Sequence, residues 1–104
     1  MEIIESLVPE QTIEQFADDH DLIMEIHERR ATERTQTHLS RYYCHFRRGE
    51  IKDGSKLIGA TGNGNTKAEA ITNYANRISE RKLVINSTRT GRKELDVPRL
   101  ITGI

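Results

Sequence analysis

The chain has 104 residues, 35% of them apolar and 31% charged, with 16 bases balancing 16 acids. That length suits one domain, residues 1–104, and its apolar runs fall far short of the ~20 residues that cross a bilayer, so no membrane partner is expected. The single cysteine, Cys44, rules out an internal disulfide, and acids stand where an export signal needs bases, which points to the cytoplasm.

The zero net charge conceals a split. Residues 1–28 carry nine acids and no Lys or Arg, so residues 29–104 set all 16 bases against seven acids, a net of +9. A neutral chain with two poles can dimerise head to tail, clamp its own ends together, or offer each pole to a different partner.

Residues 1–8 are apolar enough to pack but too short to classify. Pro9 suits a first helical turn, and Thr12 with Gln15 spells a capping box, so a helix is expected to start between them. Ile13, Phe16, Ala17 and His20 form its inner side. Asp18, Asp19 and Asp21 crowd its carboxyl end, where the helix dipole disfavours negative charge, so it should end early.

From Leu22 the period changes to two: Leu22, Met24 and Ile26 alternate with Ile23, Glu25 and His27, a strand with one wet face. Residues 31–40 are polar and aperiodic, a long hairpin loop. A second strand sets Tyr42, Cys44 and Phe46 against Tyr43, His45 and Arg47. Lys52 to Ser55 reads as a turn, and Lys56 to Thr61 as a third strand running into a glycine loop.

In that loop Gly62, Asn63, Gly64 and Asn65 supply turn chemistry, while Thr66 and Glu69 make a second capping box. Behind it Ala68, Ile71, Tyr74, Ala75 and Ile78 recur at helical spacing. Lys82 to Asn86 is a fourth strand. Lys93 to Val97 is a fifth, which Pro98 ends or places on an edge. The order is α-β-β-β-α-β-β, an α+β domain with helices packed on one face of an antiparallel sheet.

The order α-β-β-β-α, with a glycine-rich loop opening the last helix, resembles the double-stranded-RNA-binding domain over about residues 10–80. The resemblance implies a phosphate grip by Gly62, Gly64 and Lys67. Ala68, Glu69 and Ala70 stand where that family has further bases, and the first helix is acidic. Residues 64–73, Gly-Asn-Thr-Lys-Ala-Glu-Ala-Ile-Thr-Asn, are similar to a segment of HicB-type antitoxins, whose β-β-β-α-β domain fits residues 22–86. Asn65 replaces that family's aspartate, and residues 87–104 are too short for its usual DNA-binding segment. The small polar chain also looks like accessory proteins of phages and other mobile elements.

Catalytic signatures are absent. The glycine loop lacks the ending of a nucleotide P-loop and the spacing of a dinucleotide fingerprint, so no cofactor is expected. Adjacent strand residues point to opposite faces, so Cys44 and His45 cannot meet as nucleophile and base. His27 and His45 could lie across from each other, but two histidines without a third ligand make a poor metal site, and none is expected.

The functional surface is expected on the basic and aromatic residues Arg29, Arg30, Arg41, Tyr43, His45, Arg47, Arg48 and Lys52. Arginine beside an aromatic ring serves protein hot spots, and it equally serves nucleic acid. The expectation is a non-enzymatic module that binds and modulates a protein partner, with a homodimer among its forms. The alternative is a nucleic-acid-binding domain, expected to bind weakly because the amino-terminal acids oppose it.

Overall fold

The computed structural model describes residues 1–3, 11–32 and 39–101. Pro9, and Arg34 with the other residues at 33–38 of the loop, lie outside the described residues.

Thr12 and Gln15 form the capping box that starts α1 (Ile13–Asp19): the Gln15 N–H donates to Thr12 Oγ1 at 3.1 Å, and the Thr12 N–H donates to Gln15 Oε1 at 3.0 Å. Ile13 and Phe16 are buried, and Ala17 and His20 half-buried. The helix stops after seven residues at its acidic end, with no base of its own in the last turn. A cation arrives from far along the chain instead, where Lys93 Nζ donates to the His20 carbonyl at 2.6 Å. Gln11 and Thr12 also make a short strand, β1, parallel to β9 (Leu100–Ile101).

β2 (Met24–Glu28) and β3 (Tyr42–Phe46) form and pair antiparallel, but the dry face expected of β2 is incomplete: Ile26 is exposed, while Glu25 and His27 of the face expected to be wet are half-buried. Glu25 stands opposite His45, and His27 opposite Tyr43. Cys44 and Phe46 are fully buried on the inner face, with Met24 half-buried beside them.

Arg47 and Arg48 then turn the chain out of this sheet, with Arg48 at a positive φ of 58°. β4 (Gly49–Asp53) enters a second sheet, pairing with β5 (Lys56–Ile58) through a Gly54–Ser55 turn and with β7 (Lys82–Ile85). β8 (Lys93–Asp96) completes the order β5-β4-β7-β8. β6 (Gly62–Gly64) returns to the first sheet beside β3, giving the order β2-β3-β6.

The α+β class stands, but the strand count differs. Among the described residues five strands, not three, separate α1 from the later helix at Lys67–Ile78: the run from Lys56 to Gly64 breaks at Gly59, Lys52 belongs to β4 rather than to a turn, and Ala31 and Thr32 are helical where a loop was expected.

Thr66 caps α2 (Lys67–Ile78), accepting from the Glu69 N–H at 3.1 Å. The helix buries Ala70, Tyr74, Ala75 and Ile78; Ile71 is half-buried, and Ala68 lies outside the buried stripe. It lies directly on β6. A Cβ at Gly62 would strike the Ala70 carbonyl oxygen and the Tyr74 nitrogen, and one at Gly64 would strike Ala70 and Glu69. Neither glycine has a positive φ, so both serve close approach of strand to helix rather than loop geometry.

α1 and α2 share one face of the three-stranded sheet. Phe46 meets the Phe16 ring of α1 at 6.4 Å and the edge of Tyr74 of α2 at 5.5 Å. The Arg47 N–H donates to the carbonyl of Ile23, just ahead of β2, so the Phe46 N–H points the other way, past the end of the β3 pairing with β6. The Tyr74 hydroxyl accepts it at 3.1 Å. Among the described residues no helix is long and apolar enough to cross a membrane.

Candidate functional site

The helices cover one face of the β2-β3-β6 sheet, and the other carries a line of polar rings. His27 and Tyr43 lie at 4.8 Å between centroids, His27 and His45 at 5.4 Å, and Tyr43 and His45 at 6.5 Å. All three planes agree within 23°. Alternation along β2 and β3 puts these side chains on one face, and the register brings them into contact.

Arg29 closes one end of the line. Its guanidinium lies 4.5 Å over the Tyr43 ring, donating to the Ser40 carbonyl at 2.8 Å and to Asn63 Oδ1 at 2.7 Å. At the other end Arg47 Nε lies 3.5 Å from the Glu25 carboxylate, a half-exposed pair. The His45 Nδ1 is 3.0 Å from the Phe46 carbonyl oxygen. A carbonyl only accepts, so Nδ1 carries the proton and Nε2 keeps its lone pair.

Of the eight basic and aromatic residues expected at a site, Arg29, Tyr43, His45 and Arg47 come together here. Arg30 is exposed just past the end of β2. Arg48 sits at the corner between the sheets and lines a cavity of about 390 Å³ with His45, Glu50, Thr61, Ser87 and Arg89.

Two expectations need correcting. Arg41 does not share the face of Tyr43: its Nε donates to Glu28 Oε1 at 2.9 Å and its guanidinium lies 5.0 Å over Tyr42, on the opposite side. That carboxylate raises the Arg41 pKa, chiefly through its hydrogen bond. Lys52 belongs to the other sheet, where its Nζ pairs with Glu94 Oε1 at 3.2 Å.

Gly62 and Gly64 lie in β6, and the start of α2 is filled by the chain's own groups. Thr66 Oγ1 accepts the Glu69 N–H, while a Glu69 carboxylate oxygen accepts the Asn65 N–H at 2.9 Å. A carboxylate already stands where a phosphate would settle, so Lys67 has no anion cradle beside it. Cys44 faces the core, and burial pushes its thiol up to about 11, away from nucleophilic character.

Glu25, Asn63 and Arg89 carry no signal of their own in the sequence. Glu25 and His27 do alternate with the core residues of β2, which marks a wet face, but strand register decides what they meet. Comparison with family models, curated proteins and solved structures finds no match to this chain.

Proposed function

We propose that the chain is a non-enzymatic binding module, of the kind its likeness to mobile-element accessory proteins implies, that engages and modulates a protein partner through this open sheet face. The supporting observation is how the rings stand. His27, Tyr43 and His45 are stacked on one another, and Arg29 already covers Tyr43, so ring faces are taken up within the protein. A single-strand platform needs an aromatic face free for a base. Ring edges, a phenol hydroxyl and flanking guanidinium groups suit the hydrogen bonds and anchors of a protein interface.

Capture from an extract of the native host tests this, using the parent, Tyr43→Ala and Arg47→Ala as baits with and without nuclease. The expected result is a nuclease-resistant protein held by the parent and lost from both variants. Capture that vanishes with nuclease would sink the protein-partner reading.

One observation favours the nucleic-acid alternative. The cavity of about 390 Å³ beside His45 presents Arg48 and Arg89 with Thr61, two guanidinium groups that suit a phosphate, although Glu50 also lines it and takes the Ser87 hydroxyl. Loss of oligonucleotide binding in Arg48→Ala and Arg89→Ala is the outcome that supports it.

A further inference from the structure

The geometry points to a binding site for one divalent transition cation, Zn²⁺ or a close relative, held by Glu25, His27 and His45. One donor atom from each residue lies within 4.8 Å of the others, all three side chains half-buried on the open face. Glu25 and His27 are two apart on β2, so they project together, and His45 stands directly across from Glu25 on β3. The sequence alone left two histidines without a third ligand, and the observed register supplies the carboxylate.

The donor set suits this class of cation. Two neutral imidazoles and one carboxylate are ligands for zinc and its neighbours, whereas Mg²⁺ and Ca²⁺ prefer oxygen alone. Tetrahedral zinc with ligands at about 2.1 Å sets them about 3.4 Å apart, so the three donors must draw together by side-chain rotation. At His45 the Phe46 carbonyl accepts from Nδ1–H, which in the neutral ring leaves Nε2 as the atom able to coordinate. The His27 ring is stacked within 21° of parallel to it, so it must turn out of the stack to aim its own lone pair, which lies in the ring plane, at a shared cation.

Arg47 and Arg29 are charged neighbours on the sheet face, and Arg48, Glu50 and Arg89 line the cavity beside His45. Arg47 contacts Glu25 at 3.5 Å, but with side-chain exposures of 51% and 30% that pair is weak and yields to a cation at little cost. Arg29 is held at the far end, over Tyr43. Three protein donors leave the fourth coordination position facing solvent. The site does not rest on the protein-partner reading, but filling it turns the His27 and His45 rings out of the stack that supports that reading.

Tag-free protein titrated with ZnCl₂ by calorimetry at neutral pH tests the assignment. The expected result is one equivalent bound per chain. His27→Gln and His45→Gln should each weaken binding by more than about 100-fold, beyond the usual cost of losing an outer-shell partner, and Glu25→Gln by about tenfold. His20→Gln, on α1, should bind like the parent, and Arg47→Ala should bind no more weakly. Far-UV circular dichroism of each variant establishes that it is folded. If a variant fails to fold, NMR of the parent decides: Zn²⁺ should shift the His27 and His45 imidazole signals and leave those of His20 unchanged. Absence of one-to-one uptake at about 100 μM Zn²⁺, uptake undiminished in folded His27→Gln and His45→Gln, or unmoved His27 and His45 signals would overturn it.

Discussion

Tyr74 couples the helix layer to the sheet through one atom. Its hydroxyl accepts the Phe46 N–H where the pairing of β3 with β6 has ended. Without it a fully buried donor would have no partner, so Tyr74→Phe should cost about 1–3 kcal/mol in urea denaturation although it removes a single oxygen. Burial also pushes the Tyr74 phenol from its ordinary 10 up to about 12, as it pushes the Cys44 thiol from 9 up to about 11. Both folded values are raised, so the unfolded chain loses these protons first as pH climbs. The stability tied to them is complete below pH 9 and is lost from there to about pH 12, Cys44 contributing the earlier part. Urea midpoints should therefore fall across that window, less steeply at its lower end in Cys44→Ala and at its upper end in Tyr74→Phe. A midpoint independent of pH between 9 and 12 would contradict the burial of both groups. Cys44 should also react slowly with a thiol reagent in the native state, and rapid labelling would speak against its buried placement.

Among the elements, β6 shows why part of the fold could not be read in advance. Gly62-Asn63-Gly64 has the composition of a turn, and glycine is depleted in strands. It is a strand because α2 lies so close that no side chain fits, a reason residing in the partner rather than in the segment. Gly62→Ala should accordingly cost about 3 kcal/mol or more, because the obstacle is helix backbone that cannot move aside. Gly59→Ala, where nothing lies within 4 Å of the added carbon, should change stability by under about 0.5 kcal/mol. Chemical denaturation of the two variants checks the pair, and equal midpoints would mean that strand and helix stand further apart. The caps were legible because their signal is local: Thr12 with Gln15 closes a full capping box, while Thr66 caps its helix as expected but Glu69 reaches the Asn65 N–H rather than that of Thr66 itself. Thr66→Ala should cost about 1 kcal/mol, while exposed Lys67→Ala should be nearly neutral. β4 escaped because Ile51 is its one apolar residue, too little to show a period of two. The candidate site was half legible for a related reason. Alternation assigned Tyr43, His45 and Arg47 to one face, but only pairing with β2 could reveal that Glu25 meets His45 and His27 meets Tyr43.

Across the whole molecule the segregation of charge in the sequence is partly undone by folding. Glu25 and Glu28, from the acidic stretch, reach Arg47 and Arg41, while Glu94 takes Arg92 and Lys52, and Asp96 takes Lys82. Such exposed pairs add little stability, but each lowers the positive potential that a nucleic acid would meet. Glu14, Asp18 and Asp19 remain exposed on α1, and Glu69 fills the start of α2. Among the described residues, the cavity brings Arg48 and Arg89 together, with Glu50 beside them. Neutralising two phosphates gives a salt slope, d log K/d log[salt], of about −2, against about −6 or steeper for proteins that neutralise many more. With so few contacts, duplex and single-stranded oligonucleotides should bind no tighter than about 10⁻⁵ M at physiological salt. Fluorescence anisotropy across a salt series measures both quantities. Arg48→Ala with Arg89→Ala should abolish the residual binding, and Tyr43→Ala should leave it nearly unchanged because the Tyr43 face is already covered by Arg29. Nanomolar affinity, a slope near −6, or a large loss in Tyr43→Ala would mean that the ring ladder opens to receive bases, and would place nucleic acid ahead of protein as the partner of this face.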